Sequence, residues 1–159
     1  MDAPAHALSP EEAQVLAERV AARMFAQDRA SQRMGIRIVR VAPGEAVLTM
    51  TVREDMLNGH AICHGGFVFT LADSAFAFAC NSYNENTVAA GCSIEFLAAS
   101  REGDVLTATA RERHLRGRTG VYDVTIRTRS GKVVALFRGK SYRINGEVIA
   151  GLQHADEPR

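Results

Sequence analysis

The stretch LNGHAICHGGFVFTLADSAFAFAC, Leu57 to Cys80, carries one carboxylate, Asp73, in a run that is almost wholly apolar from Phe67 on. In helical register its neighbours are Val68, Phe69, Leu71, Ala72, Phe76, Ala77 and Phe78, with hydroxyls only at Thr70 and Ser74. Aspartate is a poor residue for a helix interior, because its short polar side chain competes for the backbone. Burying its charge is costly unless the charge is paired, and desolvation raises its pKa. Two roles fit: a structural acid bonded to Ser74 or a nearby loop, or a general base or nucleophile in a cleft.

His64-Gly65-Gly66 stands just before the apolar run. Glycines that open a helix let a ligand approach the backbone, and the free N–H groups there carry the positive end of the helix dipole. Such a place suits the oxyanion that forms when a carbonyl is attacked. A plain turn before a helix would also use glycines. Asp73 follows Gly65 by eight residues, about 12 Å along a helix rising 1.5 Å per residue. Two groups acting on one carbonyl carbon must each come within about 3 Å of it. One chain cannot satisfy both. In a two-fold dimer with antiparallel helices, Asp73 of one subunit can face Gly65 of the other. An active site built on these residues is therefore shared.

His60 and His64, with Cys63 between them, raise the question of a metal. The i, i+4 spacing ligates well only on a helix, this segment reads as loop, and no third ligand is evident, so no metal is expected. Cys63, Cys80 and Cys92 are odd in number, scattered and without a CxxC pair. That signals neither a disulfide framework nor a zinc knot, and fits a reducing cytoplasm. His114 and His154 carry no signal.

The elements that must position these groups follow from periodicity. Ser9-Pro10-Glu11-Glu12 reads as a helix start with Ser9 as N-cap and Glu12 closing a capping box. The run AQVLAERVAARMFAQDR continues it, with Val15, Leu16, Val20, Met24 and Phe25 on one face. Ile36, Ile38 and Val41 precede the Pro43-Gly44 turn, and Val47, Leu48, Met50 and Val52 follow it, which predicts a hairpin. A second helix is expected over about 66–82, apolar nearly all round and so buried on most sides. Four strands follow: Thr87–Leu97, Val105–His114, Gly120–Arg129 and Lys132–Ile144. The tail from residue 146 to 159 is expected to be loose. The fold class predicted is α+β, an antiparallel sheet of about five to six strands around one long buried helix, with a second helix outside.

Composition narrows the function. At 159 residues the chain fits one domain, and 47% apolar residues are enough for a core. A net charge of +1 gives no support to a nucleic-acid or membrane-surface binder. The opening residues lack the basic start and apolar run of a signal peptide, and no stretch approaches the roughly 20 apolar residues of a membrane span.

With these residues in view, LNGHAICHGGFVFTLADSAFAFACNS resembles the signature of the hotdog-fold acyl-CoA thioesterases. The likeness extends to CSIEFLAASREGDVLTATARERH, RTGVYDVTI and VALFRGKSYRI, and so covers about residues 34 to 144. The resemblance implies hydrolysis of an acyl-CoA thioester, with coenzyme A as part of the substrate and no separate cofactor. It implies that the Gly65 N–H polarises the carbonyl while Asp73 of the facing subunit attacks or activates water. Asn58 would position the thioester or the water, and His64 would lie beside it. Ser93 in CSIEF is the matching candidate for a hydroxyl near the base. Gly66, Arg116, Arg118, Arg138, Gly139 and Lys140 would hold the coenzyme A, whose phosphates need cations; each basic residue has solvated surface charge as its ordinary alternative. Phe67, Phe69 and Phe76 fit either an aryl pocket or the core.

By resemblance the acyl group is aryl-acetyl, plain or ring-hydroxylated, in phenylacetate catabolism, and the assembly is a dimer or a tetramer of two dimers. A hotdog hydratase or dehydratase would need a catalytic His paired with the acid. A non-catalytic acyl-CoA sensor would have no need of Asp73.

Overall fold

A computed structural model describes residues 8–152 of the chain. Helix α1, Pro10–Gln27, starts as its sequence dictates: Ser9 Oγ accepts from the Glu12 N–H at 3.2 Å and Glu12 accepts from the Ser9 N–H at 2.7 Å. Leu16, Ala17, Val20 and Ala21 form its buried face, whereas Val15 turns outward. The helix expected to run on through Asp28 breaks there. Asp28 instead caps a second short helix, α2, Arg29–Arg33, by accepting from the Ser31 N–H at 2.9 Å. The cause is the competition of a short acid side chain with the helical backbone.

The predicted hairpin forms as β1, Arg37–Ala42, and β2, Glu45–Thr51, with Val41 opposite Ala46. After a loop comes helix α3, Gly65–Cys80, and then β3, Glu85–Phe96, β4, Val105–Arg116, β5, Thr119–Arg127, and β6, Val133–Glu147. All neighbours are antiparallel, in the order β1-β2-β4-β5-β6-β3. The late-sequence strands match expectation to within a few residues.

The sheet curls around α3, whose Leu71, Ala72, Ala75, Phe76, Phe78 and Ala79 are buried. Phe76 packs against Tyr122 and Phe137 at centroid distances of 5.6 and 5.8 Å, and Phe69 against Phe137 at 5.5 Å. These two phenylalanines belong to the core. Phe25 of α1 meets Phe78 at 6.3 Å and so joins the outer helix to the central one. Alternation along β4, β5 and β6 buries one face and leaves the other to solvent. Strand β3 is different: it is the sheet's last strand and is exposed or half-exposed along its length.

The segment after residue 145, expected to be loose, is held as far as it is described. Asn84 is fully buried and fastens it: its Nδ2 donates to the Ile149 carbonyl at 2.9 Å and its Oδ1 accepts from the Ile149 N–H at 2.8 Å. Residues 153–159, with His154, lie outside the described residues.

Candidate active site

The helix that carries the acid begins at its glycines. His64 is the N-cap, in extended conformation, and its Nδ1 accepts from the Gly66 N–H at 2.9 Å. The imidazole must therefore be unprotonated at Nδ1, which leaves Nε2 as its outward group. The family resemblance implies coenzyme A at Gly66, but its N–H is occupied by this cap and its carbonyl accepts from the Thr70 hydroxyl at 2.9 Å. Among the described residues, no acceptor takes the Gly65 N–H.

Gly65 opens onto a hollow of about 340 Å³ walled by Ile62, Val68, Phe96 and Val134, with Asn58 and Cys63 on its rim. A Cβ at position 65 would come within 3.0 Å of the Phe96 ring, so glycine is required for that close approach. Asn58 Oδ1 accepts from the His60 N–H at 2.9 Å and shapes the loop. Its Nδ2 has no partner among the described residues, and Asn58 is one of the residues that line the hollow. Asn58 and Gly65 are thus brought together. Cys63 is buried at the rim, and burial pushes its thiol up.

Asp73 is half-buried and makes no hydrogen bond or ion pair among the described residues. The alternative of a structural acid bonded to Ser74 does not hold, because Ser74 Oγ lies 3.0 Å from Ser31 Oγ instead. Desolvation pushes the Asp73 carboxyl above the usual carboxylate range. Burial pushes the Cys80 thiol up to about 12 and raises the Cys92 thiol, and the Asp73 charge adds to both. Asp73 itself stands midway along α3.

That geometry corrects the placement of Ser93. Cys92 is paired with Gly139 and faces α3; the next residue, Ser93, is paired with Arg138 and faces away. Ser93 shares an outer hollow with Glu95, Arg113, Asp123 and Arg138. The residues of this strand that meet the site are Cys92 and Phe96, which the sequence reading passed over. Strict alternation through CSIEF was the available signal, but it does not say which face is inward.

Gly139 is also corrected. A Cβ there would come within 2.8 Å of the Phe76 ring, so the packing of a core phenylalanine accounts for the glycine without a ligand. Arg138 is bound by Asp123, which accepts from Nε at 2.6 Å and Nη2 at 2.9 Å; Arg113 also donates to it, at 2.9 Å. Asp123 thus pairs with both guanidinium groups. Arg116 and Lys140 are exposed and have no partner among the described residues, and Arg118 donates only to Asn145 Oδ1 at 3.2 Å. All four stand on the outer face of the sheet or its β4–β5 turn.

Residues 60–135 match the family model of the thioesterase superfamily. The chain is 52% identical over 125 residues to the acyl-coenzyme A thioesterase PaaI of Escherichia coli K12, covering 79% of this chain and 89% of that one. The chain belongs to the thioesterase superfamily. As a thioesterase it is a thioester hydrolase with the hotdog fold. The solved E. coli PaaI protein from the phenylacetic acid degradation operon superimposes with a TM-score of 0.83 at 50% identity, over 84% of this chain and 97% of that one. A hypothetical thioesterase protein with coenzyme A from Streptococcus pneumoniae TIGR4 is 28% identical, with a TM-score of 0.68 over 70% of this thioesterase and 90% of that chain. No helix among the described residues is long and apolar enough to cross a membrane.

Proposed function

We propose that this thioesterase hydrolyses aryl-acetyl-CoA, phenylacetyl-CoA or its ring-hydroxylated forms, to the free acid and coenzyme A. One observation carries the mechanism: among the described residues, Asp73 is a half-buried carboxylate without a partner, on the same helix as an N–H without an acceptor at Gly65. Eight residues of helix separate them by about 12 Å, too far for one carbonyl. Two chains must therefore meet, and the exposed edge strand β3 is the surface that brings them together, because an unpaired twelve-residue edge is a template for a second copy.

In that dimer the Gly65 N–H of one chain polarises the thioester carbonyl, and the Asn58 amide helps to orient it. Asp73 of the other chain takes a proton from water, which attacks the carbonyl carbon, and the coenzyme A thiolate leaves. A raised carboxyl pKa suits a general base near neutrality. A thiolate is a good leaving group, so a carboxylate and a polarised carbonyl suffice. Arg116, Arg118 and Lys140 supply charge for the coenzyme A phosphates.

The acyl group is argued from relatives. The E. coli protein is an acyl-coenzyme A thioesterase from a phenylacetic acid degradation operon, and the hollow beside Gly65 has the apolar walls an aryl ring needs. The test is release of free coenzyme A from phenylacetyl-CoA, hydroxyphenylacetyl-CoA, benzoyl-CoA and a medium-chain acyl-CoA, each run against Asp73→Asn. Faster aryl-acetyl turnover, lost in the variant, is expected. Equal rates on all four esters would sink the aryl-acetyl assignment, and an active Asp73→Asn would sink the mechanism.

A further inference from the structure

The hollow beside Gly65 holds a polar group that the mechanism leaves unused. Three of the side chains that line it are polar, those of Asn58, Cys63 and Ser100, and the others are apolar. The mechanism uses the Asn58 amide and has no step for Ser100. Yet Ser100 is only 1% exposed, and among the described residues its Oγ is the one buried side-chain oxygen or nitrogen without a hydrogen-bond partner. The Cys63 thiol feels this hydroxyl, which offsets part of the rise that burial causes there. A thiol is only a weak partner, whether as donor or as acceptor.

The backbone explains where Ser100 stands but not why it is a serine. In the stretch after β3 the Leu97 N–H donates to the Val134 carbonyl at 2.8 Å, and the Ala99 carbonyl accepts from Lys132 Nζ at 2.8 Å. The Ser100 carbonyl accepts from the Cys63 N–H at 2.9 Å. None of these bonds uses the hydroxyl, and an alanine would keep them all. A buried hydroxyl without a strong partner costs free energy, because water would have paired it in the unfolded chain. The bond from Cys63 also sets Ser100 beside the loop that leads to Gly65. Cys63 and Gly65 are two residues apart, at most about 7 Å of chain, so the Ser100 hydroxyl and the Gly65 N–H border the hollow within the span of one acyl group.

We propose that Ser100 is a specificity-determining residue, whose hydroxyl pairs with a hydroxyl on the ring of the acyl group and so favours ring-hydroxylated aryl-acetyl esters over the plain ester. This deepens the aryl-acetyl reading and rests on it. A serine hydroxyl and a phenol can each donate and accept, so they pair in either sense. The apolar walls strip water from a bound ring, and a phenol stranded among them would lose its hydrogen bonds. Ser100 returns one of them. A plain ring gains nothing from Ser100 and leaves it unpaired, and selectivity follows from that difference.

The test compares kcat/KM for phenylacetyl-CoA with kcat/KM for its ortho-, meta- and para-hydroxylated forms, in the parent and in two variants. The parent should favour at least one hydroxylated ester about tenfold, the worth of one hydrogen bond. Ser100→Ala should bring that ratio down to about one, chiefly through KM. Ser100→Thr keeps the hydroxyl and should hold the ratio. Ser100→Ala should also melt no lower than the parent, because it removes a buried hydroxyl that nothing pairs strongly. An unchanged ratio in Ser100→Ala overturns the proposal. So does loss of the ratio in both variants, which would make volume the cause, and so does a markedly lower melting temperature in Ser100→Ala, which would reveal a structural partner. A parent that hydrolyses aryl-acetyl esters without preference refutes the role of Ser100 alone. A parent that hydrolyses none of them refutes the aryl-acetyl reading, and the role of Ser100 falls with it.

Discussion

Ser74 and Ser31 lie with their hydroxyl oxygens 3.0 Å apart, and the direction of their bond is fixed by a third residue. Ser31 Oγ is 2.6 Å from Asp28 Oδ2, so Ser31 donates to that carboxylate and accepts from Ser74. Ser74 is thereby turned toward α2, away from its neighbour Asp73. The break between α1 and α2 at Asp28 thus ties the outer helices to the helix that carries the acid, and leaves the acid unpartnered among the described residues.

Removal of that chain should be costly. Ser31→Ala leaves Ser74 buried without its acceptor, which is expected to destabilise the protein by about 1–3 kcal/mol. Ser31→Ala with Ser74→Ala removes both partners and should recover part of the loss. Chemical denaturation of the two variants checks this, and a double variant weaker by the full sum would deny the coupling.

Asp73 should set opposite directions for activity and stability. Asp73→Asn is expected to lower kcat by roughly 10²–10⁴-fold, the range for loss of a general base. The folded-state pKa of Asp73 lies above its unfolded value of 3.8, so the native state binds more protons between the two. Its contribution to stability is therefore present below the unfolded value and is lost as pH rises through the folded one. Asp73→Asn should melt a few degrees higher than the parent at pH 7, where about 1 kcal/mol corresponds to roughly 2–4 °C, and the gap should close near pH 3. Thermal melts across pH settle it; an equal gap at both ends would contradict the desolvated acid.

The same shift predicts the pH profile of turnover. The ionised carboxylate is the active form, so kcat should fall toward acid with a midpoint above the ordinary carboxylate range. A midpoint at or below 3.8 would show that Asp73 is not desolvated in the working protein.

His64 can be divided into cap and contact. His64→Ala should cost about 1 kcal/mol of stability through loss of the acceptor for the Gly66 N–H, whereas His64→Asn supplies a new cap and should cost little. If the Asn variant melts like the parent yet turns over slowly, the ring has a role at the thioester beyond capping. Equal melting of the Ala and Asn variants would deny the cap.

Gly139→Ala tests packing against ligand binding. The new Cβ, 2.8 Å from the Phe76 ring, should destabilise by about 1–3 kcal/mol, and Phe76→Leu in the same chain should relieve it. A weakened affinity for coenzyme A with unchanged stability would return Gly139 to the binding surface.

Local chemistry determined much of this protein by itself. Ser9 and Glu12 begin a helix wherever they stand in this pattern, the Pro43-Gly44 turn joins two alternating runs, and the apolar run after Gly65 has to be a helix wrapped by something. The same run exposed Asp73 as an anomaly, and the rise of a helix puts it about 12 Å from Gly65, too far for both to meet one carbonyl. What tertiary structure decided was direction. Alternation through CSIEF admits two faces, and only pairing with β6, where Gly139 receives Phe76, turns Cys92 toward Asp73 and Ser93 away. A glycine that seats a ring and a glycine that greets a ligand are the same letter, and an arginine already held by Asp123 is spelled like the unpartnered Arg116. Long-range pairing supplies those distinctions, because the partner that satisfies or blocks each group comes from a distant part of the chain.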